Sequence, residues 1–194
     1  MERFKSDEHF SESFEGMDLS EWDLADHSFE DCTFLKCNFS RARLTRVRFL
    51  GCQFTQCDLS NAELGTARFR DPSFTRCKLL GWPFHHLADL VNPSFESCKL
   101  DYSNFSGQKL KKTRFQDCEL REVDFSGADL SECDFQGSDL TRARFSGTRL
   151  VKADFSRARG YQINPLENQL KGARFSLPEA QGLLTGLGIV IVDM

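Results

Sequence analysis

From Phe14 onward every fifth residue is Phe or Leu, and this period constrains the fold more than any other feature of the chain. The centres run without a miss from Phe14 through Leu44 and Leu64 to Phe84, slip by one residue, and resume from Phe95 through Leu130 to Phe155, 28 in all. They take 16 of the 19 Phe residues in a chain that has only 2 Tyr and 2 Trp, so Phe is demanded at equivalent sites. Two places before each centre the residue is usually small, as at Cys32, Ala42, Cys52, Ala67, Ser103, Thr113, Ala128 and Ala153, and the remaining positions are mostly polar or Gly. A period of five fits neither the 3.6 of an α-helix nor the 2.0 of a flat strand. If each pentapeptide forms one side of a four-sided coil, the centre and the small residue both point inward, and equivalent residues of successive coils stack at a strand spacing of ~4.8 Å. Seven such coils would make a rod of roughly 34 Å.

The same register accounts for residues that otherwise suggest chemistry. All eight cysteines, Cys32, Cys37, Cys52, Cys57, Cys77, Cys98, Cys118 and Cys133, fall two before a centre, and no C-x-x-C pair occurs, so they read as small buried hydrophobes. Neighbours such as Cys32 and Cys52 would stack with parallel side chains, which disfavours a disulfide. Of the four histidines only His85 and His86 are adjacent, and no Cys or carboxylate cluster accompanies them, which favours a surface bulge over a metal site. The stretch Gly182, Gly186, Gly188 lacks the Lys-Ser/Thr of a phosphate loop. Acidic residues recur at repeat-surface positions. The expectation is a protein with no enzymatic activity, no catalytic, cofactor-binding or metal-binding residue, and no cofactor.

A net charge of −4 and a pI near 5.6 argue against direct nucleic-acid binding and point to a protein partner. Charge is uneven along the chain: residues 1–30 carry 10 acidic and 2 basic side chains, residues 31–94 carry 5 and 9. The N-terminus has no apolar signal-like core, and the apolar run Ile189–Val192 is too short to span a bilayer, so a cytoplasmic location and no membrane segment are expected.

Two stretches interrupt the pattern. From Phe84 to Phe95 the step is eleven residues where two repeats need ten, with Leu90 a candidate intervening centre. Pro83, Pro93 and the oversized Trp82 at a small-residue site predict a bend or bulge there, read either as a tolerated insertion or as a contact for a partner. After Arg159 the repeat ends. Ser176 and Glu179 have the spacing of a capping box, with Pro178 in the first turn, and predict a short helix presenting Leu183, Leu184 and Leu187, closed by Gly186 or Gly188. Ile189, Val190, Ile191 and Val192 then read as a strand. A solenoid needs its last coil covered, but helix plus strand exceeds that need. Leu183, Leu184, Leu187, Ile189, Val190, Ile191 and Val192 are therefore the candidate homodimer interface, with capping alone the alternative.

Segments such as Ala128-Asp129-Leu130-Ser131-Glu132 and Cys133-Asp134-Phe135-Gln136-Gly137 resemble the pentapeptide-repeat family, whose pattern is a small residue, Asn or Asp, Leu or Phe, then two variable residues. The resemblance implies an all-β solenoid, a right-handed quadrilateral β-helix. Here it would comprise an N-terminal cap at 1–13, a β-helix at 14–159 with its register break at 85–94, and a C-terminal capping and dimerisation segment of helix and strand at 160–194. Within the tail, Asn164-Pro165, Phe175-Ser176-Leu177-Pro178-Glu179-Ala180, Leu183-Leu184 and Gly188-Ile189-Val190 look like the ends of bacterial topoisomerase-poison resistance proteins of the albicidin-resistance and microcin B17 immunity types, and more loosely of Qnr quinolone-resistance proteins. That likeness implies a dimeric rod that binds DNA gyrase or topoisomerase IV and relieves a poison by mimicking duplex DNA. The partner-facing acidic candidates are then Glu96, Asp117, Asp134 and Asp154, on the side that also carries Arg114 and Arg157. Another side is basic, with Lys109, Lys111, Lys112, Arg149 and Lys152 against Asp129 and Glu132. A scaffold with an unrelated protein partner needs only the rod and is the alternative function.

Overall fold

The computed structural model of the chain describes Phe4 and residues 6–189. It is a parallel β-solenoid of about eight turns with one short C-terminal helix. Short strands alternate along successive coils: β1 (Glu8–Phe10), β2 (Ser13–Glu15), β3 (Ser28–Glu30), β4 (Thr33–Leu35), β5 (Arg48–Leu50), β6 (Gln53–Thr55), β7 (Arg68–Arg70), β8 (Ser73–Thr75), β9 (Asp89–Val91), β10 (Ser94–Glu96), β11 (Arg114–Gln116), β12 (Asp154–Phe155) and β13 (Arg174–Phe175). One side is the five-stranded parallel sheet β1-β3-β5-β7-β9, and the next is the six-stranded β2-β4-β6-β8-β10-β11. Register is set by the centres, with Phe29 opposite Phe49 and Phe34 opposite Phe54. The other sides are held by single bridges such as Asp58 with Lys78 and Asp124 with Arg144.

The residue before the centre influences which local form a side takes. Where it is Asp or Asn, its side-chain oxygen accepts a bond from the backbone N–H two residues on, arching over the centre: Asp18 to Ser20, Asn38 to Ser40, Asp58 to Ser60, Asp124 to Ser126, Asp139 to Thr141. This Asx turn competes with an extended strand. At Ser28, Thr33, Gln53 and Arg68 a three-residue strand forms instead, although Arg43, Arg144 and Arg149 make only single bridges and Asp89 begins a strand. At most corners the second residue after a centre has positive φ, and many of these are not Gly, for example Arg41 at 57°, Lys112 at 66° and Tyr102 at 63°. Such a conformation costs on the order of 1–2 kcal/mol for an L-residue, offset by the backbone bonds that each corner makes to the next coil, as from Arg41 N–H to Ser60 O at 3.2 Å.

The core is an aromatic ladder. Nine rings from Phe14 to Phe175 stack one per coil on a single side, with centroids 4.9–5.2 Å apart along the whole series. A second stack lies on the adjacent side before the break, Phe29, Phe49 and Phe69. After the break it moves to the facing side, as Phe84, Phe105, Phe125 and Phe145. Four of the coils thus keep two Phe and two Leu, and the coils starting at Phe29 and Phe69 hold a third Phe, so large side chains fill the cross-section throughout.

The small inward position has a second role. Its donor reaches back to the carbonyl of a centre on the preceding coil: Cys52 Sγ–H to Phe29 O at 3.3 Å, Cys57 to Phe34 O at 3.3 Å, Ser138 Oγ–H to Phe115 O at 2.6 Å, Thr148 to Phe125 O at 3.0 Å and Asn168 Nδ2 to Phe145 O at 2.9 Å. Cys, Ser, Thr and Asn can each bring a donor on a short stem, although Ala and Val fill many of these positions without one and the buried Thr113 hydroxyl makes no such bond. All eight cysteines are buried free thiols. Burial pushes the Cys52 thiol up to about 12 and raises those of Cys32 and Cys133 as well, which opposes thiolate chemistry.

The structure departs from the sequence expectations in four places. The solenoid begins earlier and ends later than the uninterrupted period suggests. His9 is the first centre, opposite Phe29 in β1, inside the stretch expected as a cap. At the other end Phe175 pairs with Phe155, and Leu170 is partly buried against the core. Gly160 and Pro165 occupy the centre positions between them, and Tyr161 and Ile163 are buried there instead. Gly160 has φ 71°, and a Cβ there would lie 3.0 Å from the Thr141 backbone, so the chain closes down at a point that only glycine fits. These end coils raise the count from seven to about eight.

At the break, Leu90 is the intervening centre, opposite Phe69. A 3₁₀ turn at Phe84–His86 absorbs the extra residue, and the pairing continues beyond it at an offset of 21. Trp82 is buried among the rings of Phe69, Phe74 and Phe84, and its indole N–H donates to Leu59 O at 2.7 Å. The indole thereby makes the same backward bond as a Cys or Ser at this position.

The capping box does not form. Ser176 Oγ accepts from Arg157 N–H at 2.9 Å on the coil below, so it belongs to the solenoid. The helix α1 (Gln181–Thr185) starts later, after Ala180, without a side-chain cap. Ile189 lies outside any strand, and Val190, Ile191 and Val192 lie outside the described residues.

Candidate interaction surfaces

The solenoid brings the described candidate dimer residues, Leu183, Leu184, Leu187 and Ile189, to one end. Leu183 is half-buried against the core, whereas Leu184, Leu187 and Ile189 are exposed. Two apolar side chains that sequence reasoning left out join them in being exposed in this terminal part of the chain, Leu166 and Leu177, each 77% exposed. Their signal was available: Leu166 directly follows the centre position of Pro165 and Leu177 stands two after Phe175, places where polar residues or Gly usually stand.

The four acidic candidates separate into two kinds. Glu96, directly after a centre, and Asp117, at a corner, are exposed. Asp134 and Asp154 stand directly before centres, where an Asp is consumed by the Asx turn. Asp134 accepts from Gln136 N–H at 3.0 Å and Gln116 Nε2 at 2.6 Å. Asp154 is only 6% exposed; it accepts from Ser156 N–H and Gln136 Nε2 at 2.9 Å each and forms an ion pair with Arg174. The expectation that Asp154 faces a partner is therefore corrected, and Asp134 offers little free charge. On the basic side Lys111 and Lys112 share Glu132, at 3.2 and 3.9 Å, while Arg149 has no ion pair among the described residues.

The first coil carries a group of exposed carboxylates, Glu8, Glu12, Glu15 and Asp18. Its other carboxylates meet arginines of the second coil: Glu21 with Arg41 at 2.7 Å, Asp23 with Arg43 at 2.9 Å and Asp26 with Arg46 at 2.6 Å. Three carboxylates of the acidic stretch are thus neutralised by arginines across one inter-coil step, and the others keep their charge.

Several of these carboxyls titrate below their ordinary range. The Arg46 guanidinium holds Asp26 down. Burial works against Asp139 and Asp154, but hydrogen bonds from Thr141 and Ser156 and the pairs with Arg159 and Arg174 outweigh it. A lowered folded-state pKa means that the folded chain holds its carboxylates ionised where the unfolded chain has begun to protonate. Their stabilisation is complete above about pH 4 and is lost as pH falls through the lowered values. Urea midpoints are accordingly expected to drop on going from pH 5 to pH 2.5, and a midpoint constant over that range would show that these carboxylates do not stabilise the coils.

Among the described residues no group of three or more His, Cys, Asp or Glu is arranged to hold a metal ion. His85 and His86 lie on the 3₁₀ turn with ring centroids 3.9 Å apart. Among the described residues no helix is long and apolar enough to cross a membrane.

A family model described as a pentapeptide repeat region matches residues 47–125, and models of nine and eight pentapeptide repeats match residues 24–63 and 118–157. A search of curated proteins finds no match. Among solved structures, a trypsin-treated form of QnrB1, a plasmid-mediated fluoroquinolone resistance protein, is 26% identical with a TM-score of 0.42, covering 96% of this chain and 92% of that one. HetL, a pentapeptide repeat protein involved in heterocyst differentiation regulation from the cyanobacterium Nostoc sp. strain PCC 7120, is 20% identical with a TM-score of 0.42, covering 85% and 87%. A pentapeptide repeat protein from the Arabidopsis thaliana thylakoid lumen is 20% identical with a TM-score of 0.34, covering 69% and 68%. With its models running unbroken from residue 24 to 157 and its centres stacked coil upon coil, the chain belongs to the pentapeptide-repeat family.

Proposed function

We propose that this protein is a non-catalytic binding rod that protects DNA gyrase or topoisomerase IV from a topoisomerase poison, acting as a homodimer joined at its C-terminal ends and presenting a DNA-like surface. The observation that carries the reading is the terminal segment. Its sequence from Asn164 to Val190 resembles the ends of topoisomerase-poison resistance proteins, and exposed apolar side chains are concentrated in that segment at Leu166, Leu177, Leu184, Leu187 and Ile189. A twofold contact there would cover a patch that water otherwise meets. About eight coils at ~4.8 Å give a protomer of roughly 38 Å, so a dimer is comparable in length to a duplex bound in an enzyme channel. The anionic part of the likeness rests on the first coil and on Glu96 and Asp117, since Asp154 is spent on Arg174.

Purified protein is expected to restore supercoiling or decatenation in the presence of chemically distinct poisons without altering the poisons. Reversing Glu96 and Asp117 to Lys removes exposed charges that contribute roughly 0.3–1 kcal/mol each, so protection should weaken about three- to thirty-fold while the fold is retained. Deleting residues 183–194 should halve the sedimentation mass. Failure of the wild-type protein against every poison tested would favour the scaffold reading, and an unchanged mass would place any self-contact elsewhere.

A further inference from the structure

On the five-stranded sheet, Arg48 of β5 and Arg68 of β7 stand directly opposite each other in register. Like charges placed opposite each other on adjacent strands destabilise a sheet; the other basic register pair, Lys78 with Lys99, is relieved by Asp58 on one side and Glu119 on the other, and several arginines of the second to fourth coils meet carboxylates too. Arg41 meets Glu21, Arg43 meets Asp23, Arg46 meets Asp26, and Arg70 meets Asp89 at 2.6 Å. Among the described residues Arg48 and Arg68 alone within this run of arginines on the second to fourth coils form a register pair of like charge with no ion pair on either; Asp89, opposite Arg68 on β9, is held by Arg70 instead. They also line a surface recess of 420 Å³ together with Asp26, Arg46, Thr66 and Ala88. The register break helps to open it. Ala88 pairs with the buried Ala67 across the coils, with its N–H on Ala67 O at 3.1 Å, yet it is exposed while Leu87 is buried.

We propose that the Arg48–Arg68 pair and this recess form a docking site for a carboxylate-bearing segment of a partner protein. Two adjacent guanidinium groups match the planar fork of a carboxylate, each able to donate two parallel bonds, and Thr66 adds a hydroxyl at the edge. The surroundings select a short acidic segment over a polyanion. Exposed Glu30, Asp31 and Asp71 flank the same side of the rod and would repel a continuous phosphate backbone. The Asp26–Arg46 pair is neutral as a unit, so the recess itself retains the two positive charges of Arg48 and Arg68. This proposal stands independently of the topoisomerase reading, since it concerns the basic part of the rod.

The test uses the full chain with a fluorescein-labelled Gly-Ser-Glu-Glu-Ser-Gly peptide, followed by anisotropy at low salt, with labelled hexathymidylate as the competing class. Wild type is expected to bind the peptide saturably. The Arg48→Gln/Arg68→Gln variant should bind at least ten-fold more weakly, while an Arg144→Gln/Arg149→Gln control keeps wild-type affinity. Equal binding by both variants, no saturable binding by wild type, or tighter binding of hexathymidylate would each overturn the proposal. Thermal melting gives a second readout: the Arg48→Gln/Arg68→Gln variant should melt at or above the wild-type temperature, because a repulsion has been removed. A lower melting temperature would mean that the pair serves the fold, and would equally overturn the proposal.

Discussion

Truncating Phe115 to Ala is expected to cost about 3–5 kcal/mol of folding stability, in the range measured for buried Phe in tight cores. Phe115 sits mid-stack, 5.2 Å from Phe95 and 5.1 Å from Phe135, with the edges of Phe105 and Phe125 at 5.6 and 5.8 Å. Four rings lose a partner at once, and neither neighbouring coil can collapse into the void without breaking its own register. Small domains are stable by only about 5–15 kcal/mol, so this one change removes a large share. The same truncation at Phe14, half-buried at the start of the stack, should cost clearly less. Urea denaturation of both variants checks the ranking, and a loss below about 1 kcal/mol for Phe115→Ala would contradict the ladder as the main source of stability.

Trp82→Ala should be comparably damaging, again by about 3–5 kcal/mol, but its effect should be local in a different way. The indole fills the centre of the coil where the second aromatic stack changes sides, and it touches Phe69 and Phe74 before the break and Phe84 after it. Its loss also leaves Leu59 O without a side-chain donor. In a solenoid each coil contacts mainly its neighbours, so the void should uncouple the two halves. Amide exchange at Asp89–Val91 is expected to accelerate well before exchange in β4 and β6. Uniform acceleration along the rod would show instead that the protein unfolds as one unit.

The sequence made the ladder legible because a solenoid repeats its packing problem every five residues, and a Phe or Leu answers it each time. Leu90 could be picked out across the break for the same reason. The ends were harder. His9 lies five before Phe14, and Leu170 and Phe175 lie on the same count beyond Phe155, but a histidine, Gly160 and Pro165 stand in centre positions and hide the continuation. The acidic face was misjudged for a physical reason: an Asp directly before a centre looks like surface charge in the sequence, yet the arch it makes over the centre needs its carboxylate. Asp154 shows this most clearly, with its carboxylate taken up by Ser156, Gln136 and Arg174. The Ser176–Glu179 spacing misled similarly, because Ser176 was already committed to Arg157 N–H. The backward bonds from the small positions required knowing which carbonyl lies beneath them, and spacing alone does not contain that.

The positive-φ corners have a consequence for how such a rod can diverge. Asp31, Lys36, Arg41 and Tyr102 adopt one backbone shape at equivalent corners despite having little in common chemically. The inward positions therefore write one message, the cross-section, and the corners write another, the label shown to a partner, with little grammar shared between them. A chain of this kind can exchange its label residue by residue while its architecture stands still. Two rods with superimposable cores can then address unrelated partners.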